Sequence, residues 1–183
     1  MDDEAVVAAT RRWIEKAVIG LNLCPFAKMV YVKGQVRYVV SRARHLDGLL
    51  EDLDRELDLL AAADPDEIDT TLLIHASLLP DFLDFNDFLQ LAEAAVDEHG
   101  LEGVIQLASF HPQFQFADTA LDDIGNYTNR APFPTLHLLR EASIERAVAA
   151  FPEAETIYQR NIETLKALGH AGWDALWETP TGG

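Results

Sequence analysis

Short apolar runs alternate with amphipathic helices in the middle of this chain, and this alternation is what most limits its possible folds. Residues 36–41, 70–76 and 104–110 have the apolar, β-branched composition of buried strands. Residues 46–63 and 81–99 repeat leucine or phenylalanine at helical spacing. Strands joined by whole helices favour parallel pairing. The pattern therefore predicts an α/β fold: a small, mostly parallel or mixed sheet with a βαβαβ core, flanked by helices.

The N-terminal part adds one helix and one ambiguous segment. Residues 4–20 have an amphipathic pattern that predicts a helix ending at Gly20. Residues 29–41 are rich in β-branched and aromatic residues and are interrupted by Lys33-Gly34. They indicate either a hairpin or one strand preceded by a bend.

The C-terminal part has the composition of two helices. We expect them over residues 135–150 and 153–169, followed by a frayed tail at 178–183. Neither a linker nor a repeat divides the sequence, so the prediction is one globular domain over residues 1–183.

Acidic residues dominate the charge and narrow the set of partners. Fourteen Lys and Arg against 31 Asp and Glu give a formal net charge of −17. This charge repels phosphates and anionic lipids, so we expect no nucleic-acid or membrane partner. No apolar run approaches the roughly 18 residues of a membrane span. The single cysteine and the acidic N-terminus predict a cytoplasmic protein, while the oligomeric state stays open.

Residues 110–134 form an unusually long segment with neither helical nor strand periodicity. Its many aromatic residues argue against disorder, so we predict an ordered, functional loop. In a parallel sheet its start would lie with His75 and His111 at the carboxyl edge, where ligands bind in open sheets. A hairpin turn at Lys33-Gly34 would place Cys24 opposite Ala43, near that same edge.

Cys24 admits two interpretations. Because Pro25 is favoured at the first position of a helix, Cys24 could lie at a helix N-terminus, where backbone amides stabilise a thiolate. It would then be a nucleophile or redox group, with His111 or His137 as its base. Alternatively, the thiol is a small buried apolar group among its apolar neighbours.

Two histidines and one glutamate are candidates for acid–base or metal chemistry. His111 follows a predicted strand, and His137 and Glu141 are four residues apart in a predicted helix. If a metal ion is bound, His111, His137 and Glu141 are the candidate ligands, with His75 as an alternative to His111. Otherwise, Glu141 orients His137 as a general base, or the pair is a surface contact.

Amide, phenol and guanidinium groups make the long loop a candidate substrate site. Such groups bind carboxylates, phosphates and nucleobases, so we expect a small polar or anionic molecule. In the alternative interpretation, the same side chains satisfy the backbone of the loop. The candidate substrate-binding residues are Asn126, Tyr127, Asn129, Arg130 and Arg140.

Three strings of residues carry a resemblance to a known family: Leu21-Asn22-Leu23-Cys24-Pro25-Phe26-Ala27, Ser109-Phe110-His111-Pro112, and Asn126-Tyr127-Thr128-Asn129-Arg130 through Pro134-Thr135-Leu136-His137-Leu138-Leu139-Arg140-Glu141. With them, and over nearly its whole length, the chain resembles the bacterial domain of unknown function 1415 family. The resemblance implies membership alone, since it brings no reaction, cofactor or catalytic residue with it.

Two functions follow from these residues. The first is a small-molecule enzyme at the carboxyl edge of the sheet, in which His111 or His137 transfers protons and the loop binds substrate. The second is a non-catalytic module whose aromatic 110–134 loop binds a ligand or a protein. Convergence of His111, His137 and Arg130 in one pocket would favour the enzyme, and a flat exposed aromatic patch would favour the module.

Overall fold

The chain begins with a helix that covers one face of the sheet. In the computed structural model, which describes residues 1–178, helix α1 spans Asp3–Trp13 and continues as a π-helical segment, Ile14–Ile19. The helix predicted over residues 4–20 is therefore confirmed. The buried side chains of both parts are mostly apolar and face the sheet.

A short helix stands where the sequence predicted the first half of a hairpin. Helix α2 spans Ala27–Val32, and strand β1 follows at Val36–Ser41. Between them, Gly34 has a left-handed φ of 69°, which turns the chain out of the helix without a steric penalty. The hairpin prediction is wrong, and so is the pairing of Cys24 with Ala43 that depended on it. The alternative, one strand preceded by a bend, matches β1.

Four strands form one mixed sheet in the order β1-β2-β4-β3. Strands β1 and β2 are parallel, and β4 is antiparallel to both β2 and β3. This confirms the predicted α/β fold with a βαβαβ core, although parallel pairing of neighbours holds only for β1 and β2. The core elements after β1 are α3 (Leu46–Ala62), β2 (Thr70–His75), α4 (Phe82–Glu98), β3 (Ile105–Phe110) and β4 (Thr135–Arg140).

Strand β4 occupies the start of the helix predicted over residues 135–150. It is hydrogen-bonded on both sides, to β2 and to β3. Leu136 and Leu138 contact the core on one face, whereas His137 faces the other, which is the two-residue period of a strand. The helix begins only at Glu141. The predicted helical stacking of His137 on Glu141 is therefore wrong.

The face of the sheet under α3 and α4 is filled with large apolar side chains. Amphipathic helices bury their leucine and phenylalanine stripes here, against alternate residues of the strands. The buried members of this packed face are Leu49, Leu53, Leu57, Leu60, Leu73, Leu79, Phe85, Phe88, Ala92, Ala95, Val96, Ile105, Leu136 and Leu138.

The remaining chain packs around the other face. Residues 111–134 contain a 3₁₀ helix, Ile124–Asn129. Two C-terminal helices, as predicted, follow β4: α5 (Glu141–Ala150) and α6 (Ile157–Ala175). Beyond its first residue, the predicted tail at 178–183 lies outside the described part of the chain.

Among the described helices, none has the length and apolar character that crossing a membrane requires.

Candidate functional site

The face of the sheet opposite α3 and α4 is filled only in part. A second buried cluster, which includes Val6, Ile74 and Leu165, packs there, but it leaves a space beside it. A cavity of about 370 Å³ lies between this face and the helices that cover it, a volume in the range of small-molecule sites. The sheet forms its floor, and the N-terminal helices with α5 form its roof. Its walls are Trp13, Ile14, Val18, Cys24, Phe26, Ala27, Val30, Tyr31, Val36, Asp69, Thr70, Leu72, Ala108, Phe110, His137, Leu139, Ser143, Ile144 and Ala147.

The roof explains why the cavity stays open. Neither α2 nor α5 buries any side chain completely. Their apolar residues, such as Val30 and Ile144, line the cavity instead. These helices therefore present an apolar surface to the open space, which is the usual lining of a small-molecule pocket.

His137 projects from the middle of β4 into the floor. Its Nε2 lies 2.6 Å from the hydroxyl of Thr70, and that hydroxyl donates its only proton to the Leu138 carbonyl at 2.7 Å. Thr70 must therefore accept a proton from Nε2, which leaves Nδ1 as the unprotonated nitrogen. Burial lowers the pKa of His137 to about 4, so the ring is neutral at neutral pH.

Cys24 reaches the same cavity from the turn between the π-helical segment and α2. Burial raises the pKa of the thiol, and the backbone amides of Phe26 and Ala27 oppose this more weakly. The thiol is therefore protonated at neutral pH. Within residues 1–178 no hydrogen bond joins Cys24 to His137, so the two groups face the cavity separately.

His111 lies elsewhere, on the α4 side of the sheet. Its ring packs against Phe82 and Phe85. Nε2 donates to the Leu79 carbonyl at 2.9 Å, and Nδ1 accepts from the Gln113 amide at 2.9 Å. Both nitrogens are engaged by the backbone, so this conformation leaves no free lone pair for acid–base chemistry.

His75 is held in the same way at the carboxyl end of β2. Nε2 donates to the Ala43 carbonyl at 2.8 Å, and Nδ1 accepts from the amides of Ser77 and Leu78. Both ring nitrogens of His75 are thus bonded to the backbone, and these bonds fix the loop that follows β2.

Four of the five candidate substrate residues bond to backbone through their side chains, and the fifth, Tyr127, contributes its ring. Asn126 is fully buried, accepts from the Phe116 amide and donates to the Ala120 carbonyl. Arg130 donates to the carbonyls of Phe114 and Leu121 and covers the Tyr127 ring. The other two side chains donate to backbone carbonyls as well: Asn129 to Ser109, and Arg140 to Ala63 and Ile68.

The contacts of Asn126, Asn129 and Arg130 match the alternative in which the polar side chains satisfy the loop, whereas Arg140 bonds to the connection between α3 and β2. Substrate binding by these residues stays a prediction. His111, His137 and Arg130 do not converge in one pocket. Among the described residues, no group of three or more His, Cys, Asp or Glu side chains is placed to hold a metal ion. His111, His137 and Glu141 are thus not assembled as a ligand set.

Sequence reasoning named Cys24 and His137 but missed other polar residues of the same cavity, of which Thr70 and Asp69 are two. Thr70 precedes the apolar run of β2, and only the register of β2 against β4 brings its hydroxyl to His137. Asp69 ends the connection from α3. Its position directly before a buried strand was the one available signal.

The family model described as "Protein of unknown function (DUF1415)" matches residues 5–175, so the chain belongs to this family and the predicted resemblance is confirmed. No curated protein and no solved structure matches the chain. Each of the three strings that carry the resemblance supplies a wall of the cavity: the first Cys24, the second Phe110 and the third His137.

Proposed function

We propose that this member of the DUF1415 family is a small-molecule enzyme whose substrate occupies the cavity on the second face of the sheet. One observation carries the proposal: the only cysteine of the chain and a neutral histidine line the same mainly apolar cavity. Apolar walls with a few polar groups are typical of small-molecule sites. The site lies under the N-terminal helices, in the middle of the sheet rather than at its carboxyl edge.

His137 is the general base of the proposed reaction. Its Nε2–H is held by Thr70, so the Nδ1 lone pair is the one that can take a proton from a bound molecule. A pKa of about 4 keeps this lone pair free throughout the neutral range. Thr70 takes the orienting role that the sequence assigned to Glu141.

Cys24 is the second reacting group. A protonated thiol can donate a proton or, after losing it to a base, attack an electrophilic carbon. Because His137 lies in the floor and Cys24 in the roof, a substrate between them would meet the two groups from different sides.

The loop over residues 110–134 has a supporting role in this proposal. Phe110, where it begins, is a wall of the cavity and packs edge-on against Trp13 with ring centroids 5.0 Å apart. The polar side chains farther along hold the loop in shape. The body of the substrate is accordingly apolar, rather than wholly polar or anionic as the loop residues alone indicated.

The test is a turnover screen of wild-type protein against small apolar esters, thioesters and enolisable ketones, with products identified by mass spectrometry. For any substrate found, we expect His137→Gln to lower kcat/KM by about 10²–10⁴-fold. Glutamine keeps the hydrogen bond to Thr70 and lacks the Nδ1 base. The acid limb of the pH profile should lie near the histidine pKa of about 4.

The matched control is His45→Gln, since His45 is exposed and its side chain makes no capping hydrogen bond. Cys24→Ala should also reduce turnover, and circular dichroism should show that each variant is folded. Unchanged kcat/KM in both Cys24→Ala and His137→Gln would contradict the proposal.

A second candidate function is non-catalytic binding of an apolar ligand in the same cavity. The observation that favours it is that Cys24 and His137 are both held in their uncharged forms, as an apolar container requires. In that case a ligand would bind to wild type and to His137→Gln with similar affinity and would be recovered unchanged.

A further inference from the structure

The cavity continues into a second, more polar space. A cleft of about 650 Å³ lies between α2 and α5 on the outer side of the roof. The two spaces have walls in common, so the cleft adjoins the cavity. The shared walls are Phe26, Val30, Asp69, Ser143 and Ala147.

Asp69 is the charged side chain at the junction, by which we mean the shared walls of the cavity and the cleft. Among the cavity walls it is the single side chain with a formal charge at neutral pH, since His137 is neutral. One carboxylate oxygen accepts from the Ser143 hydroxyl at 2.6 Å. Within residues 1–178 no lysine or arginine lies within ion-pair distance of it. A half-buried carboxylate without a cation is a favourable partner for a positive group on a ligand.

The other charged groups around the junction also favour a positive charge on the ligand. The outer cleft contributes two carboxylates, Asp64 and Asp66, and two cations, Lys33 and Arg146. With Asp69 this makes three negative groups against two positive ones, within a chain of net charge −17. Arg146 donates to the Ser143 hydroxyl at 3.2 Å but does not line the inner cavity.

We propose that the molecule bound here is an amphipathic cation, with an apolar body in the inner cavity and a protonated nitrogen at Asp69. This inference rests on the proposed function, because it names the substrate class for the same cavity. The ring of Phe26, also at the junction, adds a surface that attracts cations. The apolar body would then lie beside His137 and Cys24.

Three probes with one apolar body and different head groups test the inference: phenylbutylamine, phenylbutanol and phenylbutyrate. We expect calorimetric titration to show the amine binding most tightly and the carboxylate most weakly. Asp69→Asn should lower the affinity for the amine about tenfold to a hundredfold, which is the usual range for losing a charged hydrogen bond. The affinity for the alcohol should not change.

A matched variant separates local binding from the general attraction of an acidic protein for cations. Asp87→Asn removes the same charge from the exposed surface of α4, on the other side of the sheet, and should leave amine affinity unchanged. Two further variants fill the cavity, Ala147→Trp from the roof and Ala108→Phe from the floor. Whichever of them folds should abolish binding of all three probes.

The outcomes distinguish this inference from the proposed function. If phenylbutyrate bound more tightly than the amine, or if Asp69→Asn and Asp87→Asn had equal effects, the cationic head group would be wrong while the cavity remained a binding site. If none of the probes bound to wild type, the proposed function would fail with it.

Discussion

The two faces of the sheet differ in how completely they are filled. On the face under α3 and α4, leucines such as Leu53, Leu57 and Leu60 have no exposed surface at all. On the other face, a cavity of about 370 Å³ remains between the strands and their covering helices. One titratable ring, that of His137, stands in its floor.

Because of this difference, we expect the face under α3 and α4 to contribute more to stability than the strand residues beside the cavity. Close packing of apolar side chains is the main source of stability in a small protein, and an open apolar cavity forgoes part of it. The cavity, with a neutral histidine and a thiol in its walls, is where the proposed site lies.

The sharpest test of this comparison uses two neighbouring leucines of β4 that face opposite ways. Leu138→Ala removes a fully buried side chain from the packed face and should lower the free energy of unfolding by about 2–5 kcal/mol. Leu139→Ala enlarges a space that is already open and should cost about 1 kcal/mol or less. Urea denaturation measures both, and equal losses would show that the two faces are packed alike.

Acid should destabilise the cavity face through His137. Its pKa is about 4 in the folded protein, below the ordinary value of about 6.5 that applies to the unfolded chain. The contribution of His137 to the free energy of unfolding is thus present above the pKa that the residue has in the unfolded chain. It is lost as pH falls through the pKa that the residue has in the folded protein.

Between these two pH values, wild type should lose about 3 kcal/mol more than His137→Gln, which cannot take up the proton. Paired denaturation curves at the two ends of this range measure the difference. Parallel losses in the two proteins would mean that the pKa of His137 is not lowered in the folded protein.

The Thr70 hydroxyl should affect both the stability of the protein and the tautomer of the His137 ring. Thr70→Val removes the hydroxyl that accepts from His137 and donates to the Leu138 carbonyl. This should lower the free energy of unfolding by about 1–3 kcal/mol. Nitrogen-15 NMR of the ring should show a fixed Nε2–H tautomer in wild type and a mixture in this variant. Thr70→Ser, which keeps the hydroxyl, should restore the tautomer. A Val variant with the wild-type ring spectrum would contradict the assignment.

The smallest effect is expected at the outer edge of the packed face, where His99 connects α4 to α3. Its ring nitrogens lie 2.8 Å from Asp58 and 2.9 Å from Asp54, and Asp58 foremost raises the pKa of the histidine. The contribution of the protonated His99 ring to stability is fully present below the ordinary histidine pKa. It is lost as pH rises through the raised pKa of the folded protein.

Because the carboxylates are exposed, His99→Gln should cost less than about 1 kcal/mol at acidic pH. At alkaline pH the same substitution should cost nothing. Denaturation midpoints of the two proteins across this range test the sign, and a cost that grew with pH would contradict it.

The sequence predicted most elements because local periodicity determines them. The leucine repeat of α3 and the apolar run of β2 each admit one interpretation. The string from Thr135 to Arg140 admits two, since its leucines fit both a strand and a helix. Only the two neighbouring strands, which hydrogen-bond to it on both edges, select the strand.

The candidate site was predictable in its members and not in its arrangement. Cys24 and His137 were identified from residue type and context, but His137 was assigned the wrong partner and Cys24 the wrong neighbour. The roles of Thr70 and Asp69 depend on contacts between segments more than 60 positions apart, such as the bond from Thr70 to His137, for which the separation is 67.

By itself, the sequence determined the α/β class, the helices of the packed face and the family, because these depend on local composition and on strings of adjacent residues. Tertiary structure alone decided that β4 inserts between β2 and β3, that a cavity remains on one face, and which nitrogen of His137 is free. Strand register and hydrogen-bond direction fix those features, and both arise only when distant segments meet.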